Sequence, residues 1–396
     1  MPDPGADDQQ RRLLGAASDA QPGRVGAKRR AKRADRNSAV AWVDSPAMSR
    51  LPTTSGANDV TDAAVPASMV GRRYRSGDRY EVGREKVREY ARAVRNHHPA
   101  HWSEADAADF GYGRLVAPPT FGAVPGYLAY AEVFDTLLPG YDLSRTIQTD
   151  QMIEFHRPLL AGDRIGFEMC LDSFRHAFGG DLIVLRQTIV DQDDRPVLTS
   201  RTSLVGRADE ALPTWFDAVV MQGVRPDARQ QRRVPPPRYV GDDSEPAHRI
   251  PPPPASPRVR RFDTVRPGTE LPGRTLTVRR GDLVNYAGVA GDPNPIHWST
   301  DAAARMGLES VVAQGLYTIG LSVDLLTSWL GDPGALRSYN VRLTNPVHVG
   351  ATGGRIEFSG RVKHLDPDKR TATIAVTAEH DGHKIFGRAT AEVVLA

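Results

Sequence analysis

In the ten residues GDPNPIHWST, numbers 291 to 300, an aspartate, an asparagine and a histidine alternate with two prolines. A carboxylate and an imidazole held on one short loop form an acid/base pair, each tuning the other's affinity for a proton. Pro293 and Pro295 fix two backbone angles and favour an extended loop, so Asp292 and His297 are expected on a rigid turn after a helix that ends near Ala290. Asn294 can brace that turn through its side chain, and Ser299 or Thr300 is placed to cap a new helix starting in WSTDAAARM. Farther on, in VVAQGLYTIG, Gly315 stands just before a long apolar stretch. There a ligand can approach the main chain closely, and an N–H at a helix start can hold a developing oxyanion. Proton transfer next to a carbonyl is the chemistry these residues suit. The competing reading makes Asp292 and Asn294 turn formers and His297 a packed histidine; Gly315 at this spacing favours the chemical one.

A second version of the stretch, RNHHPAHWSE at 95–104, lacks the aspartate. Setting Tyr80 against Leu276 and holding that offset of 196 residues aligns the surroundings without a gap: Tyr90 meets Tyr286, Pro99 meets Pro295, His101 meets His297 and Gly111 meets Gly307. The same offset sets Asn96 against Asp292, His98 against Asn294 and Pro119 against Gly315. Asparagine cannot exchange the proton and proline has no N–H for an oxyanion, so this copy is expected to be catalytically silent. His97, His98 and His101 could suggest a metal site, but no carboxylate or cysteine joins them at a recognised spacing, and no metal is expected. Glu104 and Asp106 read as a capped helix start behind Ser103, and His380 and His383 as the flanks of an Asp381-Gly382 hairpin tip.

Both loops sit in larger repeats. After a central segment the offset falls to 188, where EFHRPLLAGDRI meets RLTNPVHVGATG, and each half finishes in strand-like segments. Gly-Gly-Asp at 179–181, Asp366-Pro367-Asp368 and Asp381-Gly382 supply turns between them. Before those strands each half has one apolar stretch, TFGAVPGYLAYAEVFDTLL from Thr120 and LYTIGLSVDLLTSWL from Leu316, that reads as a buried helix. An α+β architecture follows, in which each half wraps an antiparallel sheet around a buried central helix. Residues 1–68, with the basic run AKRRAKRAD, are expected to form a disordered basic tail, and the proline-rich 207–257 a spacer. The two halves are then 69–206 and 258–396.

The bulk composition is that of a soluble globular protein: 396 residues, 40% apolar and 25% charged. With 51 basic and 48 acidic residues the net charge of +3 says little about partners by itself; a nucleic-acid role would need a concentrated patch, and no nucleic-acid partner is expected. A single cysteine, Cys170, excludes an intramolecular disulfide and fits a reducing compartment. No stretch has the length of a membrane span, and the N-terminus lacks the order of a secretory signal; a cytoplasmic location is expected.

YAGVAGDPNPIHWSTDAA resembles the hydratase motif of the MaoC-like family of (R)-specific enoyl hydratases and (3R)-hydroxyacyl thioester dehydratases. More closely, VGRRYRSGDRYEVGREKVREYA resembles the substrate-binding A subunit, and WLGDPGALRSYNVRLTNPV the catalytic B subunit, of the (3R)-hydroxyacyl-ACP dehydratase of type-II fatty acid synthesis in mycolic acid elongation. The resemblance covers 69–206 and 258–396. It implies a tandem, or double, hotdog in which Asp292 and His297 are catalytic, Gly315 offers the oxyanion N–H and Asn294 braces the loop. It implies no cofactor, an acyl thioester on ACP or CoA as substrate, and company with other fatty acid synthesis enzymes. The first half would be the non-catalytic, substrate-binding one, with Phe121, Tyr127 and Tyr130 as tunnel lining. An (R)-specific enoyl-CoA hydratase of acyl catabolism, or a non-catalytic acyl-binding protein, are the alternatives. One departure from the family is Gln314, where many relatives carry histidine; it leaves the Gly315 N–H in place. The resemblance also implies that the two halves associate within the chain as a pseudo-dimer, with a homodimer of such units as a further expectation.

Overall fold

The computed structural model describes residues 69–138, 146–177, 180–206, 237–242, 258–292 and 294–396. The basic tail, most of the proline-rich segment, Gly179 and Pro293 lie outside the described residues. In the first half the elements are β1 (Arg72–Arg75), β2 (Tyr80–Glu81), α1 (Arg84–Ala93), α2 (Glu104–Ala108), α3 (Ala123–Leu137), β3 (Ile147–Phe155), β4 (Arg164–Ala177), β5 (Gly180–Val190) and β6 (Pro196–Gly206). A short strand β7 (Arg238–Asp242) precedes the second half, which comprises β8 (Glu270–Val278), α4 (Arg280–Ala290), α5 (Thr300–Arg305), α6 (Gly315–Leu330), β9 (Leu336–Leu343), β10 (Gly354–Asp366), β11 (Thr371–His380), β12 (His383–Lys384) and β13 (Phe386–Val394). Among the described residues no helix is long and apolar enough to cross a membrane.

Eleven of the strands run in one path, β7-β1-β4-β5-β6-β3-β9-β13-β11-β10-β8, with β2 and β12 pairing off it. The halves join where β3 pairs antiparallel with β9, and at the centre of that ladder Met152 faces Asn340. These two residues are equivalents in the repeat at the 188 offset, so the seam lies on a pseudo-two-fold axis, as in an isologous dimer. Tyr90 and Tyr286, also equivalents, face each other with ring centroids 6.2 Å apart.

Strand β11 alternates buried and half-buried residues along its whole length, and β10 alternates buried and exposed over most of its own, the signature of a sheet with one covered face. Helix α6 covers it and is itself enclosed, with Ser328 its one exposed residue. Burying Leu325, Leu326 and Leu330 on this helix contributes about 1.5–3 kcal/mol each relative to solvent. In the first half α3 buries Val124, Ala129 and Tyr130 but leaves Leu128 52% exposed, so it is less enclosed than its apolar sequence suggests. Among the described residues the main apolar cluster runs from Val82 to Leu395 across the seam, with a small second cluster at Ala100, Ala107 and Val116.

Two differences from the sequence reading stand out. Each sheet takes a strand from before the helices, β1 and β8, in addition to those after it. Inside the proline-rich segment, Arg238–Asp242 is not a bare spacer: it pairs with β1, and Tyr239 sets its ring edge against Tyr74 at 5.9 Å. This pentapeptide is free of proline and carries a tyrosine and a valine, so its N–H groups can join a ladder where the flanking prolines cannot.

Helix α6 ends on Gly331, with φ +88° and its N–H donated to the Thr327 carbonyl. A Cβ there would lie 2.7 Å from the Arg258 carbonyl oxygen, so both backbone angle and space require glycine. Gly331→Ala should lower the unfolding free energy by about 1–3 kcal/mol, measured as a lower denaturant midpoint at unchanged slope.

Candidate active site

The loop after α4 is built by local hydrogen bonds. Gly291 ends the helix in the left-handed conformation, φ +84°, which turns the chain so that Asp292 points inward. The Asn294 N–H donates to Asp292 Oδ1 at 3.1 Å, and Asn294 Oδ1 in turn accepts from the Ile296 N–H at 3.2 Å. A 3-10 turn, Pro295–His297, then carries the imidazole, and Ser299 caps α5 by accepting from the Ala302 N–H. Asn294 and Ser299 each hold the turn that follows through a side-chain oxygen.

His297 and Asp292 are 8% and 6% exposed, sheltered enough for charge to count strongly. His297 Nδ1 lies 2.7 Å from the Val312 carbonyl oxygen, which can only accept, so Nδ1 carries a proton and Nε2 is the ring nitrogen left facing Asp292. Nε2 lies 3.6 Å from Asp292 Oδ2, too long for a direct hydrogen bond but within ion-pair reach. Asp292 Oδ2 also accepts from the Tyr127 hydroxyl at 2.9 Å. Burial first, and then the Asp292 charge, raise Tyr127 well above the ordinary tyrosine range, so it stays protonated and donates.

Gly315 opens α6, three residues beyond the carbonyl that holds His297. Its N–H is one of the first-turn donors that a helix cannot pair internally. A Cβ there would stand 2.7 Å from Leu343 Cδ1 and 3.2 Å from Gln148 Oε1, so the glycine is walled by one residue from each half. Gln314 is fully buried and donates to the Leu283 carbonyl at 3.1 Å, which anchors the start of α6. Gln148 did not stand out in the sequence. It heads a polar chain in which its amide donates to Gln151 Oε1 at 2.7 Å, Thr202 donates to the same oxygen at 2.9 Å, and Tyr130 meets Thr202 at 2.8 Å.

Of the three aromatics expected to line a tunnel, only Tyr127 reaches the acid/base loop. Tyr130 is engaged with Thr202, and Phe121 is fully buried with its ring edge on Tyr90 at 5.6 Å.

The other copy keeps the loop and carries Asn96 where the second has its carboxylate. His101 Nδ1 meets the Val116 carbonyl at 2.6 Å, Asn96 Oδ1 accepts from the His98 N–H at 3.2 Å, and Ser103 caps α2, each matching its counterpart above. Arg95 takes the place of Gly291 and holds a positive φ of 51°, with its guanidinium on Asp282 and the Thr277 carbonyl of the second half. Asn96 is fully buried and donates toward Thr327 at 3.4 Å, His98 Nε2 reaches the Gly331 carbonyl at 2.9 Å, and the His97 N–H reaches Asp324 at 3.3 Å. The His97 side chain is exposed, while His98 and His101 spend ring nitrogens on main-chain partners. Pro119 opens a 3-10 turn where Gly315 opens α6, and borders a pocket between Phe155 and Arg157 of the first half and Pro333 and Arg337 of the second.

Residues 68–200 match a family described as the FAS1-like dehydratase domain region, and residues 263–381 match the MaoC like domain. A solved structure described as a MaoC-like dehydratase is 40% identical, with 83% of this chain and 99% of that chain covered and a TM-score of 0.73. A UPF0336 protein of Mycolicibacterium paratuberculosis is 41% identical over 140 residues, 35% of this chain and 80% of that protein. A Mycobacterium tuberculosis protein described as a double hotdog shares the fold: 15% identity, 82% of this chain and 96% of that one covered, TM-score 0.53.

His101 should cost the fold stability in acid. Burial pushes His101 down to about 3, so below its ordinary 6.5 the unfolded chain takes up a proton that the folded chain refuses. Its contribution to stability is present in full above pH 6.5 and is lost as pH falls toward 3. His101→Asn, which can still donate to the Val116 carbonyl, should flatten the fall in unfolding free energy across that window by up to a few kcal/mol, measured by denaturant titration at several pH values.

Proposed function

Since the chain belongs to the MaoC-like dehydratase family, we propose that it removes water from a (3R)-hydroxyacyl thioester carried on acyl carrier protein, forming the trans-2-enoyl thioester during fatty acid elongation. Its reaction class is that of a hydro-lyase, adding or removing water. The observation that carries the finer reading is the pairing of His297 Nε2 with Asp292 Oδ2 at 3.6 Å, the opposite ring nitrogen being occupied by the Val312 carbonyl.

In the proposed reaction the thioester carbonyl rests on the Gly315 N–H, which stabilises the charge that develops on its oxygen. One member of the Asp292–His297 pair takes the proton from C2. The electrons of that C–H bond become the C2–C3 double bond, the C3–O bond breaks, and the other member protonates the departing hydroxyl. The pair gains one proton and gives one, so it ends with the number it began with. No electron leaves the substrate, and the balance closes without a redox group. Run backwards, the same steps hydrate an enoyl thioester, which makes crotonyl-CoA hydration a convenient assay.

The first half is the partner that closes the site and does no acid/base work of its own. Asn96 in place of Asp292, and Pro119 in place of Gly315, support that division. The carrier follows from the resemblance of both halves to subunits of a (3R)-hydroxyacyl-ACP dehydratase, and matched acyl-CoA and acyl-ACP substrates across chain lengths test it directly.

Asp292→Asn and His297→Ala should each lower kcat by about 10²–10⁴-fold, whereas Asn96→Ala, if folded, should keep wild-type kcat. Because one member of the pair must hold a proton and the other must lack one, kcat/KM should trace a bell against pH. Wild-type inactivity on short, long and ACP-linked substrates would overturn the enzyme reading, and a large loss in Asn96→Ala would overturn the silent role of the first half.

A further inference from the structure

Tyr127 belongs to the half without the acid/base pair, yet its hydroxyl donates to Asp292 Oδ2, the same oxygen that faces His297 Nε2. The other carboxylate oxygen is held by the Asn294 N–H. With both oxygens accepting, the carboxylate plane cannot rotate without breaking a hydrogen bond. The Asn294 contact is local and survives in the silent loop as the His98 N–H on Asn96 Oδ1, so it is part of the loop's shape. The Tyr127 contact crosses between the halves and is made only to the loop that carries a carboxylate.

The pseudo-two-fold axis supplies an internal comparison. Each loop is touched by the central helix of the opposite half. Onto the silent loop α6 presents acceptors, Asp324 toward the His97 N–H and the Thr327 hydroxyl toward the Asn96 amide. Onto the loop with Asp292, α3 presents a donor. Continuing the 196 offset along the helices places Tyr127 opposite Val323, beside Asp324. A carboxylate in that place on α3 would repel Asp292; a phenol hydrogen-bonds to it. The sign of the group on each helix therefore matches the chemistry of the loop it meets.

We propose that Tyr127 is a positioning residue for the water elimination: its hydroxyl, delivered from the non-catalytic half, fixes the Asp292 carboxylate toward His297. This rests on the dehydratase reading given above. It makes the first half a contributor to the reacting geometry as well as a wall. The titratable groups that bear on Asp292 are His297 on its own loop, Tyr127 on α3 and Tyr286 on α4; Tyr90 and Tyr130 bear on Tyr127 in turn. Among these described neighbours Tyr127 is the one within hydrogen-bond distance of the carboxylate.

Tyr127→Phe tests the proposal, since it removes the hydroxyl and keeps the ring. Crotonyl-CoA hydration should show kcat reduced about tenfold or more, as for a lost hydrogen bond to a charged group, with KM little changed. The carbon-13 signal of the Asp292 carboxyl at neutral pH should also move in Tyr127→Phe, because that oxygen loses its donor, a measurement that needs no turnover. A structural role alone would lower thermal stability and leave kcat and that signal in place. If wild type turns over, Asp292→Asn does not, and Tyr127→Phe leaves kcat and the carboxyl signal unmoved, positioning by Tyr127 is overturned while the dehydratase reading stands. If wild type is inactive on every thioester, that reading fails, and the carboxyl signal still decides: an unmoved signal in Tyr127→Phe overturns the contact between the two groups.

Discussion

Strand β3 pairs with β9 around Met152 and Asn340, and most of the molecule's functional geometry descends from that ladder. Pairing there joins two sheets into one and removes an edge from each half that would otherwise invite another chain. Because Met152 and Asn340 are equivalents in the repeat, the pairing sets the two halves about a pseudo-two-fold axis. A slip of one residue would send alternate side chains to the wrong face. It would also take Gln148, near the start of β3, away from Gly315 at the start of α6. The register of one ladder thus sets the wall of the candidate oxyanion position.

The same ladder brings each central helix against the loop of the other half, which is why the loops are at once alike and unlike. Their backbones follow the same hydrogen bonds because Asp and Asn share the Oδ1 acceptor that fixes the first turn. What separates them is the second side-chain atom, a charged oxygen at 292 and an amide nitrogen at 96. That amide is spent on Thr327, and the neighbouring His97 N–H on Asp324, so the first-half loop fastens the halves together. Arg95 shows the same conversion. It holds a backbone angle easier for glycine, and a cross-half ion pair with Asp282 accompanies it.

Much of this was legible in the linear order of residues. The repeat, the two central helices, the Asp381-Gly382 turn and the cap at Ser299 are local features, and local chemistry writes them: apolar spacing, turn residues with positive φ, a hydroxyl before a helix. The loop from Asp292 to His297 is likewise local, with prolines and Asx-type bonds acting over two or three residues. Strand β7 was not legible, because five pairing-competent residues sit inside proline-rich surroundings whose composition masks them. Strands β1 and β8 escaped for a related reason: a strand that precedes its helix is defined by the partner it later meets.

By itself, the sequence determined which side chains could move a proton at these positions, since an asparagine lacks the proton that a carboxyl exchanges, and a proline the N–H of an oxyanion donor, wherever they are placed. It determined the shape of the loop for the same reason, the bonds that hold it being made between near neighbours. Only the tertiary structure decided that Nε2 of His297 faces Asp292, because a carbonyl fifteen residues away takes the other nitrogen. It alone decided that Tyr127 and Gln148 of the first half reach the second half's loop and glycine, contacts made across the seam. Separations of that size are closed by the pairing of β3 with β9, and no periodicity in the chain records which side chains that pairing will bring together.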